Sequence, residues 1–484
     1  MEARQGRRVV VIGAGIAGLT AAKTLLEDGC QVTVLEGRDR WGGRIQTSYQ
    51  DGLAVDLGAS WIHGYAPDNP LKEIAERWSV HSTVFEGMKI YSRPHEQLDQ
   101  DVVERLYHEM YVMLDQAREK AATERDSIPV DTSFADFIDA YIAALPGKSD
   151  FWTEEHLDYL RSFVTIFSGI NAVKNDVQSL KYVDAEDLID GEQRYLLDGY
   201  EKILQGEFSQ LREDGIIQFN EIVESISYTN KDATVETWQG HTFHADAVVV
   251  TLPLGVLKAC VSSRKNVCNT GVFFSPPLPD RKRLAIHRLG MGTLDKCVLT
   301  FDPSVEAPWS KDTDWIMCMP IIEPKETSPL SMLNRHIMSY VVLSSRASTP
   351  KMPHVLVAYY SEDVAHFIED LDPSARGPLF QVHLAQFIPQ VAEMILVNSS
   401  ATEWYKDPFA HGSYSHIPVG GAMTEDLDAF AVPVANHDGE AVDVSPEQGV
   451  LFFAGEHTVR RFASVHGALE SGRRAAHWIQ DQKI

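Results

Sequence analysis

Gly13-Ala14-Gly15-Ile16-Ala17-Gly18 fits the pattern G-x-G-x-x-G and lies between the β-branched run Val9–Ile12 and an apolar-periodic segment that reads as a helix. In that setting the glycines permit a tight turn, close approach of a pyrophosphate and tight helix packing. The free N–H groups and dipole of the helix N-terminus favour the anion. Glu36 closes the next strand-like run, Gln31–Glu36, roughly 20 residues past the motif, where a carboxylate can accept both ribose hydroxyls and repels a 2′-phosphate. NADP is therefore disfavoured, which leaves FAD or NAD. The continuation Glu36-Gly37-Arg38-Asp39-Arg40-Trp41-Gly42-Gly43-Arg44 discriminates between them. A second glycine pair locked into one short loop with Arg38 and Arg44 can wrap the pyrophosphate of a longer cofactor, and this favours FAD.

Three separated stretches read as the scaffold of such a groove. Val9–Ile12, the helix Leu19–Glu27 and Gln31–Glu36 form a βαβ opening; Ala245–Leu252 is a buried-strand pattern stopped by Pro253; Val450–Ala454 is a strand followed, after a glycine turn, by the helix pattern Ser464–Ile479. Between them Asp101–Ala122 and Phe134–Leu145 look like amphipathic helices, and Thr293–Phe301 and His354–Tyr360 like strands. Lys311–Lys351, rich in Pro, Ser and Thr, reads as a long loop or variable insertion.

An apolar fraction of 44% with 23% charged residues is that of a folded globular protein. The formal charge of −26 disfavours nucleic acid and anionic membrane as partners and favours cationic ligands. Five cysteines without C-x-x-C spacing argue against a disulfide framework and a zinc site, so no metal is expected. The stub Met1–Arg8 leaves no room for a secretory signal, the apolar runs are short of a membrane span, and Gln482-Lys483-Ile484 is not Ser-Lys-Leu; a cytoplasmic location is the expectation.

Several motifs, in order, resemble those of the flavin-dependent amine oxidases: Gly13–Gly18, Arg40–Arg44, Gly58-Ala59-Ser60-Trp61-Ile62-His63-Gly64, Gly412-Ser413-Tyr414-Ser415, and Gly455-Glu456-His457-Thr458 with Val465-His466-Gly467-Ala468. Together they span nearly the whole chain, and within that family they most resemble polyamine oxidases. The resemblance implies an α/β fold: a Rossmann-like FAD-binding domain assembled from discontinuous segments (7–88, 192–285 and 446–484) plus an α+β substrate domain (89–191 and 286–445) of the amine oxidase type.

It also implies roles for residues. Gly13, Ala14, Gly15, Gly18, Glu36, Arg38, Gly43 and Arg44 would hold the dinucleotide, and the Ala59, Ser60, Trp61 and Ile62 backbone would line the flavin and pyrophosphate. Val223 would meet the adenine side, Trp404 would stand beside the flavin, Glu456 would bind the ribityl or phosphate region, and the Val465 amide the pyrimidine edge. Lys296 matches the family's lysine that bonds a water near flavin N5, the catalytic assignment. His63 would be a polar substrate contact, and Tyr414 would pack the aliphatic substrate. Ser464 replaces a second cage aromatic, implying a roomier or more polar pocket. Monoamine oxidases bond flavin through a cysteine at the position of Ser413, so the FAD here is expected to be non-covalent.

Composition alone suggests that Asp184, Glu186 or Asp187, with Asp187 chosen, holds a remote ammonium. The expected activity is oxidation of a secondary amine of spermine, spermidine or an acetylated polyamine, with O2 reduced to H2O2. A monoamine or amino-acid oxidase is the first alternative and a histone-lysine demethylase-like factor the second. Relatives of the second kind add an N-terminal domain and a long helical tower, and neither is expected, the first strand beginning at Val9.

Overall fold

The computed structural model describes residues 6–93, 95–262, 273–321, 328–343 and 352–482; the chain's first five residues, Cys268 and the Lys483-Ile484 pair lie outside these. Val9-Val10-Val11-Ile12 are β-branched and form a strand, Arg8–Ile12, buried on both faces. It pairs in parallel with Gln31–Glu36 on one side and Ala247–Val250 on the other, Val10 standing opposite Thr33 and Val248. Ile217–Phe219 and Leu451–Phe453 extend the parallel sheet outward, and Val434–His437 with Glu440–Asp443 close it as an antiparallel ribbon. That ribbon falls within the segment expected in the substrate domain, yet Val434 pairs with Leu451 of the nucleotide sheet.

The helix Ile16–Glu27 buries every residue from Ile16 to Ala22. Its neighbour is the helix Val465–Gln480, which approaches so closely that a Cβ at Gly472 would stand 2.1 Å from the Ala17 carbonyl oxygen. Residues more than 440 positions apart thereby fix one helix pair above the glycine turn.

A second sheet carries the strands Leu396–Ala401, Leu294–Phe301, His354–Ser361, Met338–Val342, Trp315–Cys318, Met88–Arg93 and Glu96–Gln97, in that order. Period-2 alternation splits Leu294–Phe301: Cys297, Leu299 and Phe301 join one core, and Val298 joins another with Val341, Val357 and Tyr195. The helices Gln100–Glu124, Phe134–Ala143 and Glu154–Phe163 bury their apolar faces in a further core with Met317 and Met319.

Lys311–Lys351 is not one long loop. It holds the strands Trp315–Cys318 and Met338–Val342 and the helix Pro329–Asn334; 322–327 and 344–351 lie outside the described residues. Its apolar runs are only strand length, so the Pro and Ser that mark the turns dominated the composition. No helix among the described residues is long and apolar enough to cross a membrane.

Candidate active site

A cavity of about 1420 Å³ reaches from the glycine turn to the helical layer. Its nucleotide end is built around Glu36, which is 5% exposed. One carboxylate oxygen accepts the Ala14 N–H at 2.8 Å and the other the Arg38 N–H at 2.9 Å. Burial raises this carboxyl above its ordinary range, and the two N–H donors partly reverse the shift.

The three glycines do different things. Gly13 has φ +101°, and a Cβ on Gly18 would stand 2.0 Å from the Gly13 carbonyl oxygen, so turn and packing both demand glycine. Gly15 has φ −73° and ψ 170°, open to any residue, and a Cβ there would meet no protein atom within 4 Å. Neither backbone nor packing requires glycine at that position, so the open space suits a group from outside the chain. Together with the Glu36 carboxylate it fits the pyrophosphate and ribose of a dinucleotide.

Arg38 is ion-paired with Asp407 and stacked over the Phe409 ring at 5.1 Å. Arg44 donates to the Ser413 carbonyl oxygen at 2.7 Å and to Glu456 at 2.8 Å. Glu456 also accepts from the Ser415 hydroxyl at 2.6 Å and the Ala463 N–H at 2.9 Å. Burial opposes its charge, but Arg44, His457 and Ser415 outweigh burial and hold the carboxyl below its ordinary value. The Ser413 hydroxyl donates to the Leu294 carbonyl oxygen and accepts from the Leu294 N–H, both at 2.8 Å.

Lys296 leaves Leu294–Phe301 on the cavity face. The residue is 3% exposed, and its ammonium donates to the Asp56 carbonyl oxygen at 2.8 Å, the Gly58 carbonyl oxygen at 2.5 Å and the Ser60 hydroxyl at 2.5 Å, with the Tyr359 ring 4.8 Å away. Burial lowers its pKa to about 7, against an opposing pull from Asp56. Ser60 is the one partner that can donate in return, so a neutral amine keeps its place.

The end away from the glycine turn is aromatic and of mixed charge, with Glu186 and Glu362 on the wall beside Arg118 and Lys174. Tyr414 donates its hydroxyl to the Ile170 carbonyl oxygen, and the Trp404 indole N–H donates to the Leu57 carbonyl oxygen at 3.3 Å. His63 is surrounded by protein but open to solvent through the cavity. Its Nδ1 lies 2.6 Å from Gln193 Oε1, which requires the Nδ1–H tautomer, and burial keeps the ring neutral. Ser464 is on the wall, but its hydroxyl caps the final helix: it donates to the Arg461 carbonyl oxygen at 2.7 Å and accepts the Gly467 N–H at 3.0 Å.

Of the residues expected in the site, Ala14, Gly18 and Ile62 are not on the cavity wall; all three support it from the core. Val223, Gly43, Ala59, Ser60, Trp61 and Val465 do line it. Asp187 is displaced from the site. Its side chain is 64% exposed and bonded to Arg461, because the chain turns it outward where Glu186 turns in. Glu186 and Glu362 face the cavity, and neither has an ion-pair partner among the described residues. Glu362 escaped the sequence reading because only its left-handed φ of +59°, which a sequence does not reveal, aims it there.

The sequence over residues 16–479 matches the model of a family described as flavin containing amine oxidoreductase. Polyamine oxidase 2 of Arabidopsis thaliana is 30% identical over 97% of this chain and 87% of its own length. Lysine-specific histone demethylase 1 homolog 3 of Oryza sativa subsp. japonica is also 30% identical, over 98% of this chain, which spans only 54% of that protein. Among solved structures, a putrescine oxidase bound to putrescine superposes with a TM-score of 0.69 at 18% identity, covering 99% of both chains. With the dinucleotide groove in place, the match across the chain shows that this protein belongs to the flavin-containing amine oxidoreductases and is an FAD-dependent amine oxidase.

Proposed function

We propose that the protein is a polyamine oxidase that holds FAD without a covalent link and oxidises a secondary amine of spermine, spermidine or an acetylated derivative. The observation that carries this reading is the pair of cavity carboxylates, Glu186 and Glu362. Burial raises each to about 7 against weaker pulls from Arg118 on Glu186 and Lys174 on Glu362, and neither makes an ion pair among the described residues. A buried acid without a partner is unfavourable, and a ligand ammonium would relieve it. Ser413 supports a dissociable cofactor, since its hydroxyl is already bonded twice to Leu294 and no described cysteine lines the cavity.

FAD, when bound, supplies the acceptor for a hydride from the carbon beside the amine nitrogen and passes the electrons to O2. The chain's own residues meet the other requirements. The reacting nitrogen must be neutral so that its lone pair assists loss of hydride, and desolvation inside the cavity favours the deprotonated amine there, while the Tyr414 and Trp404 rings pack the aliphatic chain. The remote ammonium groups stay charged against Glu186 and Glu362, with His63 as a neutral hydrogen-bond partner. Lys296, whose ammonium rests on Asp56, Gly58 and Ser60, would exchange the Ser60 hydroxyl for a water to take part in proton transfer and imine hydrolysis. The products are an aldehyde, a shorter amine and H2O2.

The demethylase-named relatives, also 30% identical to this chain, favour a second reading in which the same chemistry acts on methyl-lysine. A peroxide assay over spermine, spermidine, their acetylated forms, benzylamine and a methylated histone peptide separates the readings. Turnover of a polyamine with the highest kcat/KM supports the proposal; peroxide from the histone peptide or benzylamine alone overturns it.

A further inference from the structure

Alternation along Leu294–Phe301 turns Lys296 towards the cavity and Asp295 the other way, towards the helix Glu362–Asp370. Asp295 is 0% exposed and Glu369 is 2% exposed. Asp295 Oδ1 accepts from the Thr402 hydroxyl at 2.6 Å and the Trp404 N–H at 3.1 Å. The Glu369 oxygens accept the Tyr405 N–H at 2.9 Å and the Lys406 N–H at 3.0 Å. Asp295 Oδ2 receives no N–H or O–H donor among the described residues, and the Glu369 carboxyl, which takes the two backbone N–H groups after that of Trp404, is the side chain hydrogen-bonded to Asp295.

The surrounding charged and titratable groups are committed elsewhere. Arg376 donates to the Glu369 carbonyl oxygen and pairs with Glu403; the Lys406 ammonium takes the same carbonyl oxygen and Asp370; the Tyr360 hydroxyl donates to the Lys296 carbonyl oxygen. Two carboxyl groups buried together cannot both ionise without strong repulsion, so one proton between them accounts for the otherwise orphaned oxygen.

We propose that Asp295 and Glu369 are positioning residues, a carboxyl pair sharing one proton that clamps the Thr402–Lys406 backbone and so fixes Trp404 on the cavity wall. The pair holds a hydroxyl and three successive backbone N–H groups, yet carries one negative charge instead of two behind Lys296. The inference does not depend on which amine is oxidised.

Asp295→Asn replaces a protonated carboxyl with a neutral amide of the same shape, able to donate to Glu369 and accept from Thr402 and Trp404. Its FAD affinity and the pH profile of flavin reduction are expected to match those of the native protein. Asp295→Ala is expected to weaken FAD binding by about tenfold or more, the equivalent of one lost buried hydrogen bond. Infrared difference spectra of native protein against Asp295→Asn at neutral pH supply a readout independent of turnover: the carbonyl stretch of a protonated carboxylic acid is expected in the native protein and absent from the variant. No such band, or an Asp295→Asn variant as impaired as Asp295→Ala, overturns the proposal. If Asp295→Ala does not fold, the infrared band and Asp295→Asn still decide it.

Discussion

Arg44 Nη1 stands 2.8 Å from Glu456 Oε1 and 2.7 Å from the Ser413 carbonyl oxygen, so one guanidinium joins three motifs that are far apart in the chain. Glu456→Gln breaks this junction and leaves Arg44 without its anion. The expected loss is about 3 kcal/mol, the low end for removing one partner of a buried pair, because the Arg44 side chain is 24% exposed. FAD per chain after gel filtration should fall with it. Since the Glu456 carboxyl is held below its ordinary 4.5, its contribution is complete above that value and is lost as pH falls through the lower folded-state value. An unchanged melting temperature and flavin content would remove the pair from the site.

Lys296→Met should retain FAD and slow the flavin half-reactions by about a hundredfold or more, the range for a lost proton-transfer partner. Stability supplies a second check. The native lysine titrates near 7 in the folded protein against 10.5 when free, so the unfolded chain binds more protons between those values. Native stability therefore falls as pH drops from 10.5 towards 7. The melting-temperature difference, variant minus native, should grow over the same interval, and a flat difference would contradict the burial effect.

Gly15→Ala and Gly18→Ala should behave oppositely. The first adds a methyl to open space and should leave the unfolding free energy of the FAD-free protein within about 0.5 kcal/mol of native while weakening FAD binding. The second forces a Cβ to within 2.0 Å of the Gly13 carbonyl oxygen and should destabilise the protein whether or not FAD is present. Equal behaviour of the two would show that the Gly15 cradle holds no cofactor.

Glu186→Gln and Glu362→Gln should each raise KM for a polyamine by roughly ten- to a hundredfold, the value of a charge-assisted hydrogen bond, with a smaller change in kcat. In the native enzyme KM should rise as pH falls below about 7, where both acids take up protons and lose their attraction for ammonium. That dependence should weaken in either variant. Asp187→Asn, altered on the exposed side of the same segment, should leave KM unchanged.

The sequence by itself determined the nucleotide end of the protein. Glycine spacing, Val9–Ile12 and Glu36 are local features, since a tight turn, a buried strand and a carboxylate at its end are written within one βαβ unit. Lys296 was singled out only through the motifs around it, since a lysine opening an apolar strand reads by itself as a surface residue, and the fold puts it on the cavity wall. Only the tertiary structure decided which acids face the cavity. Asp187 and Glu186 are neighbours in composition, but the backbone sends one to solvent beside Arg461 and the other inward. Glu362 depends on a left-handed φ, and the Asp295–Glu369 pair on a strand and a helix meeting across a core. Side-chain direction and long-range burial arise from the packing of distant segments, and no local pattern encodes them.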